Sequence, residues 1–488
     1  MTITLTPEQL IKGFFALFIG GFIAWVIFDR DELELRGDGG RQRYVPYIPG
    51  SILPWVLLSI VLLAAAYYGP VQAIQLTFDA FFGVALHIFA YNLLLLLLLP
   101  LLRRWFSARA CAVLWMLPNY LYLNLQSYAQ VAEPALVLRA RGNWIWYLLA
   151  VWLAGFLAVL VWKTVAHLVF RRRILKDAET VTDSAVLTVW TEELAAARVK
   201  KPKFYLVYSP AVTTPLSIGL TLRSTRVVLP LRDYTEEELH LLLRHELVHI
   251  GRGDACNKFF MLFCTALGWF NPLMWIAMGK SADDLELSCD ETVLLESDEA
   301  AKRQYARLLL NTAGDGRGFT TCLSASAATL RYRLKNVMNP KKKHCGALLV
   351  GLVFFLLFMS CGYVALAYDA GTGEELLFHG APEDYSLMDY FTLGPDFLQY
   401  DRKTCDEAAV LDYISGLELY RLTGNYSFPD QREQRGFNYY FGTPAGVEVI
   451  RLQGNIAKVI PLHGKRPDTR TYYIPDGIDA AYLESLLN

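Results

Sequence analysis

Apolar stretches separated by short charged segments run through the first 170 residues and recur near residue 350. Each stretch is close to the roughly 20 residues that an α-helix needs to cross a bilayer. The pattern therefore predicts a membrane domain of about five spans over residues 1–170 and a final transmembrane helix at 346–368. The first five spans are expected at 10–28, 51–69, 76–102, 110–127 and 144–170.

Two of the predicted spans contain features that need a closer look, a competing interpretation for 10–28 and polar or helix-breaking residues in 110–127. A signal peptide is the competing interpretation of 10–28, but charged residues follow it where a cleavage site of small residues is needed. The span at 110–127 is interrupted by Pro118 and Asn119, which do not favour an apolar helix.

Composition and charge agree with a membrane protein. The hydrophobic fraction is 54%, charged residues make up 19% of the chain and the mean hydropathy is +0.28. The net charge of −1 hides an asymmetry, because residues 369–488 carry 19 acidic and 10 basic side chains. An acidic segment repels the phosphates of nucleic acid, so no direct binding of nucleic acid is expected.

The distribution of arginine and lysine between the spans predicts the orientation. Basic residues are frequent at 29–50 and 103–109, absent from 70–75, and cluster again at 171–173 and 341–343. One topology satisfies this pattern, with the N-terminus outside, residues 171–345 inside and the C-terminal segment outside. The chain is therefore expected to cross a membrane several times.

The segment Arg244-His-Glu-Leu-Val-His249 carries the candidate chemistry. On a helix, His245 and His249 lie four residues apart and project from one face, at a separation that one Zn²⁺ can bridge. Glu246 lies beside them and is suited to accept a proton from the attacking water. Thr235 and Glu238 form a capping-box pattern that predicts the start of this helix, which is expected to run from about 235 to 251.

Zinc needs a third protein ligand, and Glu286 is the candidate. Asp290 follows one turn later and is suited to hold a ligand histidine through its free N–H. The competing interpretation is a surface helix with two solvated histidines. The helix is rich in leucine, valine and isoleucine, as a buried helix is, and buried histidines and a buried glutamate without a metal ion would be costly.

The motifs Arg244-HELVHIGRGD254, Asn271-Pro-Leu-Met-Trp275 and Asp284-LELSCDETVL294 together resemble the BlaR/MecR-type integral-membrane metallopeptidases, the antirepressor proteases of bacterial β-lactam sensing. Segments 214–219, 227–230 and 305–310 also resemble this family. The resemblance covers roughly 144–345.

The resemblance implies that His245, His249 and Glu286 are zinc ligands and that Glu246 is the general base. Asp290 and Asp254 are expected to hold the ligands through hydrogen bonds. Cys289 lies inside the second motif, where packing is the favoured interpretation over metal ligation.

Residues 259–279 are apolar enough for a further span, but His245 and His249 precede them and Glu286 follows them. Because all three must reach one ion, the segment has to return to the side where it started. A re-entrant or membrane-hugging helix pair, broken near Asn271-Pro272, is therefore expected.

Within 171–345, segments 203–208 and 216–230 are expected to be strands. The second is either a border of the substrate cleft, as in related zinc proteases, or a purely structural hairpin. Residues 312–328 are small and polar, typical of an exposed loop. In the third span Asp79 and His87 are polar, and interhelical hydrogen bonding is favoured over a functional role.

Residues 369–488 are expected to form a small extracytoplasmic α+β domain that could act as a sensor. Alternating residues on both sides of Gly454-Asn455 predict a β-hairpin, and 438–441 and 470–475 predict further strands, with a closing helix at 480–487. The best-known members of the resembled family have an external domain that is acylated at the serine of an S-x-x-K motif. The chain contains no such motif, so a β-lactam receptor is not expected.

The expected fold is a multi-span α-helical membrane protein with a gluzincin-like α+β zinc protease domain and a small extracytoplasmic α+β domain. The expected function is a membrane-embedded zinc endopeptidase with a cytosolic active site that cleaves itself or a transcriptional repressor on a signal. Its partners would be a protein substrate and the lipid bilayer. The alternatives are a constitutive HtpX-like quality-control protease and a non-catalytic receptor scaffold.

Overall fold

The structure is a computed structural model of the chain, and it describes residues 7–35, 53–123, 136–139, 144–197, 202–221, 223–294, 297–313, 327–338, 343–361, 364–394, 397–399, 405–422, 426, 428–429, 434–462 and 469–486. The chain divides into two compact units. The first unit comprises residues 1–55, 87–121 and 154–359, and the second comprises 56–86, 122–153 and 360–488.

The α-helices, in chain order, are α1 Pro7–Leu35, α2 Leu53–Tyr68, α3 Pro70–Trp105, α4 Ala108–Met116, α5 Trp144–Leu175, α6 Ser184–Ala196, α7 Glu236–Arg252, α8 Asp254–Leu267, α9 Pro272–Val293, α10 Glu299–Ala313, α11 Ala327–Met338, α12 Ala347–Ser360, α13 Gly373–Leu376, α14 Glu407–Gly416 and α15 Ala480–Ser485. Two 3-10 helices cover Leu117–Leu123 and Pro382–Asp384.

The strands are β1 Leu136–Arg139, β2 Glu179–Thr180, β3 Tyr205–Ser209, β4 Leu216–Ile218, β5 Arg226–Pro230, β6 Val364–Thr372, β7 Ser386–Gly394, β8 Phe397–Gln399, β9 Glu418–Leu422, β10 Gly436–Thr443, β11 Gly446–Gln453, β12 Ile456–Pro461 and β13 Arg470–Tyr473. They form a four-stranded sheet in the order β2-β3-β5-β4 and a nine-stranded sheet in the order β1-β6-β9-β13-β12-β11-β10-β7-β8.

Three helical segments of the described residues are long and apolar enough to cross a membrane, namely Leu10–Phe28, Leu76–Trp105 and Trp146–Leu175. They coincide with the first, third and fifth predicted spans. Two shorter apolar helical segments, Pro54–Tyr67 and Ala347–Ser360, lie within the second and sixth.

The fourth predicted span, 110–127, is not one continuous helix. The α-helix α4 ends at Met116, and the chain continues as a 3-10 helix over Leu117–Leu123. The change falls just before Pro118, whose ring cannot continue the α-helical hydrogen-bond pattern. Every residue of α4 is buried.

The sixth predicted span, 346–368, is too long at its C-terminal end. The helix α12 stops at Ser360, and β6 begins at Val364. Residues 364–367 pair with β1 in parallel, so their backbone groups are used in a sheet rather than in a helix. Apolar composition alone cannot distinguish a buried strand from the end of a transmembrane helix.

Helix α7 is held by apolar side chains on two of its faces. Leu239, Leu243 and Leu247 lie one turn apart and pack against β5 and α6. Leu241 and Val248 pack in a second cluster with residues of α9, α10 and α11. The capping box predicted for the helix start is confirmed, because the Thr235 hydroxyl accepts from the N–H of Glu238 and the Glu238 carboxylate accepts from that of Thr235.

The apolar segment 259–279 is a helix pair, as its chemistry required. Helix α8 ends at Leu267, and α9 begins at Pro272 with the Asn271 side chain as its N-terminal cap. The turn between the two helices packs on α5, because the Trp269 ring lies over Gly155, where a Cβ atom would be only 2.1 Å from it. The pair therefore returns the chain to α7, where Glu286 can meet the two histidines.

The nine-stranded sheet carries the predicted antiparallel elements of the C-terminal segment. Strands β11 and β12 pair on both sides of Gly454-Asn455, with Gln453 opposite Ile456, which confirms the predicted hairpin. The predicted strand at 438–441 lies within β10, the predicted strand at 470–475 contains β13 and extends two residues beyond it, and α15 covers most of the predicted closing helix. A core of aromatic and aliphatic side chains joins the sheet to α14 and α15.

Asp79 of α3 has hydrogen bonds within the second unit. Its carboxylate is 5% exposed and accepts from the backbone N–H of Leu366 and from the hydroxyl of Tyr426. These two bonds join the helix to a strand and to a buried phenol. A buried carboxylate needs such donors, because an unsatisfied charge in the interior is costly.

We expect Tyr426→Phe to lower the free energy of unfolding of the second unit by about 1–3 kcal/mol, because it leaves the buried carboxylate one donor short. Thermal unfolding of the purified protein in detergent measures the change. Tyr482→Phe is the matched control, since Tyr482 is 42% exposed. Equal unfolding midpoints for the two variants would contradict the prediction.

Candidate functional site: a metal centre

Helix α7 brings His245 and His249 together on one face, one turn apart. Their Nε2 atoms are 3.1 Å from each other, and the two rings are nearly perpendicular. His249 is 6% exposed. Two imidazole nitrogens therefore converge on one point beside the helix.

Glu286, in α9, supplies the third group at this point. Its Oε2 atom lies 3.6 Å from Nε2 of His245 and 3.5 Å from Nε2 of His249. The residue is 6% exposed. The helix pair α8–α9 is what brings it there, since 36 residues of chain separate it from His249 in the sequence.

The three atoms have the spacing of ligands around zinc. Zn²⁺ binds its ligands at about 2.0–2.2 Å in a tetrahedron, so neighbouring ligand atoms lie roughly 3.3 Å apart. The observed separations of 3.1, 3.5 and 3.6 Å lie close to that value. Two imidazoles and one carboxylate leave a fourth tetrahedral position, as a catalytic site needs. The residues present fit a zinc ion.

Glu246 follows His245 in α7 and lines the same cleft as the three candidate ligands. The residue is 6% exposed, so its carboxylate is largely removed from bulk water. A carboxylate in such a cleft is suited to exchange protons with a bound water or with an amine.

His249 is held from behind by Asp254. Its Nδ1 atom lies 2.7 Å from Oδ2 of Asp254, which is 2% exposed. Because a carboxylate only accepts, Nδ1 carries the proton and Nε2 keeps its lone pair for a metal ion. Gly253 makes this contact possible, since its φ of 67° turns the chain between α7 and α8. Asp254 thus has the orienting position expected from the sequence.

His245 is held through a longer connection than the sequence suggested. Asp290 approaches Nδ1 of His245 only to 3.7 Å. Between them lies the hydroxyl of Tyr305, which is 2.9 Å from Nδ1 of His245 and 2.6 Å from Oδ1 of Asp290. Arg333 in turn donates to both oxygens of Asp290, at 2.7 Å each.

Tyr305 and Arg333 were not among the residues predicted for the site. Tyr305 opens the 305–310 segment that resembles the family, so the resemblance contained a signal for it. Arg333 lies 43 residues after Asp290, and no spacing or motif pointed to it.

The electrostatics of the site favour a cation. Burial raises the pKa of the Glu286 carboxyl, but the charges of His249 and Lys258 outweigh it and hold that pKa well below its usual range. Lys258 Nζ lies 3.2 Å from the second oxygen, Oε1. Burial disfavours the imidazolium of His245, yet Cys289 and Glu286 raise the pKa of His245 to about 10. The negative groups around His245 thus stabilise positive charge at this position.

Cys289 forms an alternative donor group with the two histidines, all within 4.8 Å of one another. Its sulfur lies 3.4 Å from Nδ1 of His245, on the ring edge that Tyr305 already contacts. Glu286 instead faces the Nε2 atoms of both histidines. The carboxylate completes the set of converging lone pairs, and the thiol fills space behind His245.

The cleft in front of the site has apolar walls. Pro215, Leu242, Leu308 and Leu309 form these walls, and the polar lining consists of the three candidate ligands, Glu246, Tyr305 and Arg333. Pro215 immediately precedes β4, which is an edge strand of the four-stranded sheet. Because one side of β4 has no partner in that sheet, its backbone groups can pair with an extended peptide.

Helix α9 is anchored by a second buried carboxylate, Asp284. Arg103 donates to its Oδ1 from Nε and Nη2, at 2.9 and 2.7 Å, and the indole of Trp115 donates to Oδ2 at 3.0 Å. Asp284 is fully buried. These bonds hold the helix half a turn before Glu286 and thus limit its rotation.

Comparison with known proteins identifies the same region. Residues 124–337 match the BlaR1 peptidase M56 family model. The chain is 26% identical over 272 residues to the regulatory protein BlaR1 of Bacillus licheniformis, which is 52% of the chain and 44% of that protein. It is 24% identical over 161 residues to the methicillin resistance mecR1 protein of Staphylococcus aureus, which is 31% of the chain and 26% of that protein.

The chain thus spans less than half the length of these curated relatives. The matched segment contains all of the residues that form the metal centre, from His245 on α7 to Arg333 on α11. The motifs, the family model and the relatives agree on one conclusion: residues 124–337 are similar to the BlaR1-type M56 peptidase domain, and in this region the chain resembles BlaR/MecR-type proteins.

Proposed function

We propose that the protein is a membrane-embedded zinc endopeptidase. One observation carries this proposal, namely that Nε2 of His245, Nε2 of His249 and Oε2 of Glu286 converge within 3.6 Å of one another. When bound, zinc supplies a Lewis acid for the peptide carbonyl and activates a water molecule.

Glu246 acts as the general base in this proposal. Its carboxylate accepts a proton from the attacking water and passes it to the leaving amine. Asp254 and Tyr305 keep the two imidazoles in the tautomer with a free Nε2 atom. The apolar cleft excludes water, which strengthens the electrostatic interactions inside it.

The substrate is an extended protein segment that pairs with β4. Three observations support this assignment: β4 is an edge strand, Pro215 at its start lines the cleft, and the cleft walls are apolar. Main-chain hydrogen bonds to an edge strand give affinity for any extended chain, whereas the apolar walls select side chains. A hydrophobic residue next to the cleaved bond is therefore favoured.

The active site is cytosolic and lies close to the bilayer. The long apolar helices and the basic residues that follow them support this orientation. The helix pair α8–α9 packs on the apolar helix α5, which supports a membrane-hugging position for it. The N-terminus and the domain at 369–488 lie outside in this topology.

Proteolysis depends on a signal and acts on the protein itself or on a transcriptional repressor. The names of the relatives, a regulatory protein and a methicillin resistance protein, support a regulatory role. The domain at 369–488 is the candidate sensor of that signal.

The purified protein should bind one zinc ion per chain, measured by elemental analysis. His245→Ala, His249→Ala and Glu286→Ala should each lower zinc affinity by more than about tenfold, because each removes a ligand. Unchanged zinc content in Glu286→Ala would move the third ligand elsewhere, and Asp290 would be the next candidate.

Glu246→Gln should keep its zinc and lose about 10²–10⁴-fold of its proteolytic rate, because it removes a base and no ligand. Protein N-termini in cells with the wild type and with the variant, before and after envelope stress, give the measurement. Glu236→Gln on the exposed start of α7 is the matched control. Cleavage at equal levels with and without stress would instead indicate a constitutive quality-control protease, and cleavage unaffected by Glu246→Gln would exclude the proposed mechanism.

Labelling of single cysteines in whole cells tests the topology. In a background without other cysteines, Leu310→Cys should react only after the membrane is permeabilised, because α10 belongs to the cytosolic domain. Native Cys405 should react in intact cells. Reaction of both from the same side would contradict the proposed orientation.

Self-cleavage is predicted in the 312–328 segment, of which 314–326 lies outside the described residues. A C-terminal tag should then reveal a fragment that starts near residue 320 in stressed cells, detected by immunoblot. A purely structural linker is the competing interpretation. A fragment of equal intensity in the wild type and in Glu246→Gln would favour another protease.

A further inference from the structure

Arg333 is a buried cation next to the candidate metal centre. It is 1% exposed, and its Nε and Nη2 atoms donate to the two oxygens of Asp290, at 2.7 Å each. Burial of an arginine and an aspartate is costly unless the geometry is good and their other hydrogen-bonding groups are used. The paired, fork-like contact meets the first condition.

In the hydrogen bonds that join Asp290, Tyr305 and His245, the donor of each bond follows from the charge of Asp290. An ionised carboxylate only accepts, so the Tyr305 hydroxyl must donate its proton to Asp290, at 2.6 Å. The Tyr305 oxygen is then an acceptor for the N–H at Nδ1 of His245, at 2.9 Å. His245 consequently carries its proton on Nδ1.

The position of the His245 proton determines which of its nitrogens can bind a metal ion. With the proton on Nδ1, the lone pair of Nε2 is free and points to Nε2 of His249 and Oε2 of Glu286. The guanidinium also approaches the carboxylate ligand itself, since Nη1 of Arg333 is 3.7 Å from Oε2 of Glu286. One side chain therefore influences two of the three candidate ligands.

We propose that Arg333 is a positioning residue of the metal centre, which holds Asp290 and Tyr305 so that His245 presents a free Nε2 atom to the metal ion. The proposal rests on the proposed zinc function. Arg333 lines the cleft together with Tyr305 and the candidate ligands. In this proposal it acts on the ligands through Asp290 and Tyr305 on one side and through the charge of Glu286 on the other.

The hydrogen bonds at Asp290 also link two helices, α10 and α11. Tyr305 lies in α10 and Arg333 in α11, on the two sides of residues 314–326. The hydrogen bonds at Asp290 therefore join both flanks of this segment at the metal centre. High metal affinity requires α11 to be docked, because α11 supplies the guanidinium.

The guanidinium of Arg333 neutralises the charge of the buried Asp290 carboxylate, which a neutral donor of hydrogen bonds could not do. Without the guanidinium, Asp290 would be a buried carboxylate with the Tyr305 hydroxyl as its nearest donor in the set described above. It would then be free to rotate towards His245, whose Nδ1 is 3.7 Å away. This movement displaces the Tyr305 hydroxyl that accepts from His245 and loosens the His245 ring.

The test compares Arg333→Met with Arg331→Met in the full chain, purified in detergent and stripped of metal. Both substitutions remove one guanidinium from α11, but Arg331 is exposed. Competition with a chromophoric chelator gives the zinc affinity. Substitution with Co²⁺ gives an absorption spectrum that reports the ligand geometry and does not depend on activity.

Arg333→Met should weaken zinc binding by about 10–100-fold and change the Co²⁺ spectrum, as for other residues that orient ligands. Arg331→Met should change neither. Arg333→Lys should recover part of the affinity, because an ammonium restores the charge but cannot donate to both oxygens in a fork. Zinc affinity of Arg333→Met within twofold of Arg331→Met, with an unchanged spectrum, would overturn the proposal.

If Arg333 has a purely structural role, the same experiment gives a different result. Arg333→Met would then lower the melting temperature while zinc affinity and the Co²⁺ spectrum stay unchanged, which also overturns the proposal. If Arg333→Met does not fold, Tyr305→Phe decides, because it removes only the hydroxyl that joins Asp290 to His245. It should weaken zinc binding in the wild type and have a smaller effect in Arg333→Lys, where the connection is already loosened. Equal effects in both backgrounds would overturn the proposal.

The proposal and the zinc function fail in distinguishable ways. If the wild-type protein binds no zinc, the proposed function itself is wrong. If the wild type binds zinc and Arg333→Met binds it equally well, only the role of Arg333 is wrong.

Discussion

The convergence of two imidazoles and one carboxylate on a single point is the constraint that organises the first unit. Three polar groups with their lone pairs directed at each other repel one another unless protons or a cation lie between them. The surrounding structure holds them together all the same, with Asp254 behind His249 and Tyr305 behind His245. Glu286 is held by Lys258 on its other oxygen. Such a set of bonds orients lone pairs rather than satisfying them, which is typical of a metal centre.

The Nδ1 atoms of the two histidines have different hydrogen-bond partners, and this difference affects the charge of the site. His249 donates directly to a carboxylate, which increases the basicity of its Nε2 atom. His245 donates to a neutral phenol, and the carboxylate beyond it is neutralised by Arg333. The connection to His245 therefore orients the ring without adding net charge. A site with a directly bonded carboxylate behind each histidine would be more negative.

The helix pair α8–α9 folds the chain back to the candidate ligands on α7. This is necessary because the candidate ligands lie on both sides of an apolar segment in the sequence. Asn271 and Pro272 end one helix and begin the next, and Trp269 packs against Gly155 at the turn. Asp284 then fixes the second helix through Arg103 and Trp115. The orientation of Glu286 is thus determined by a hydrogen-bonded anchor half a turn away.

The sequence by itself determined the local parts of the protein. Helix α7 with its capping box, the pair of histidines, the break at Asn271-Pro272 and the hairpin at Gly454-Asn455 each depend on residues close together in the chain. The tertiary structure decided what depends on distant residues. It ended the last apolar helix at Ser360, because residues 364–367 pair with β1, and it inserted Tyr305 between Asp290 and His245. It also brought Arg333 to Asp290. Hydrophobic periodicity and motif spacing describe neighbours within a few turns, whereas hydrogen bonds between separate elements depend on how those elements pack.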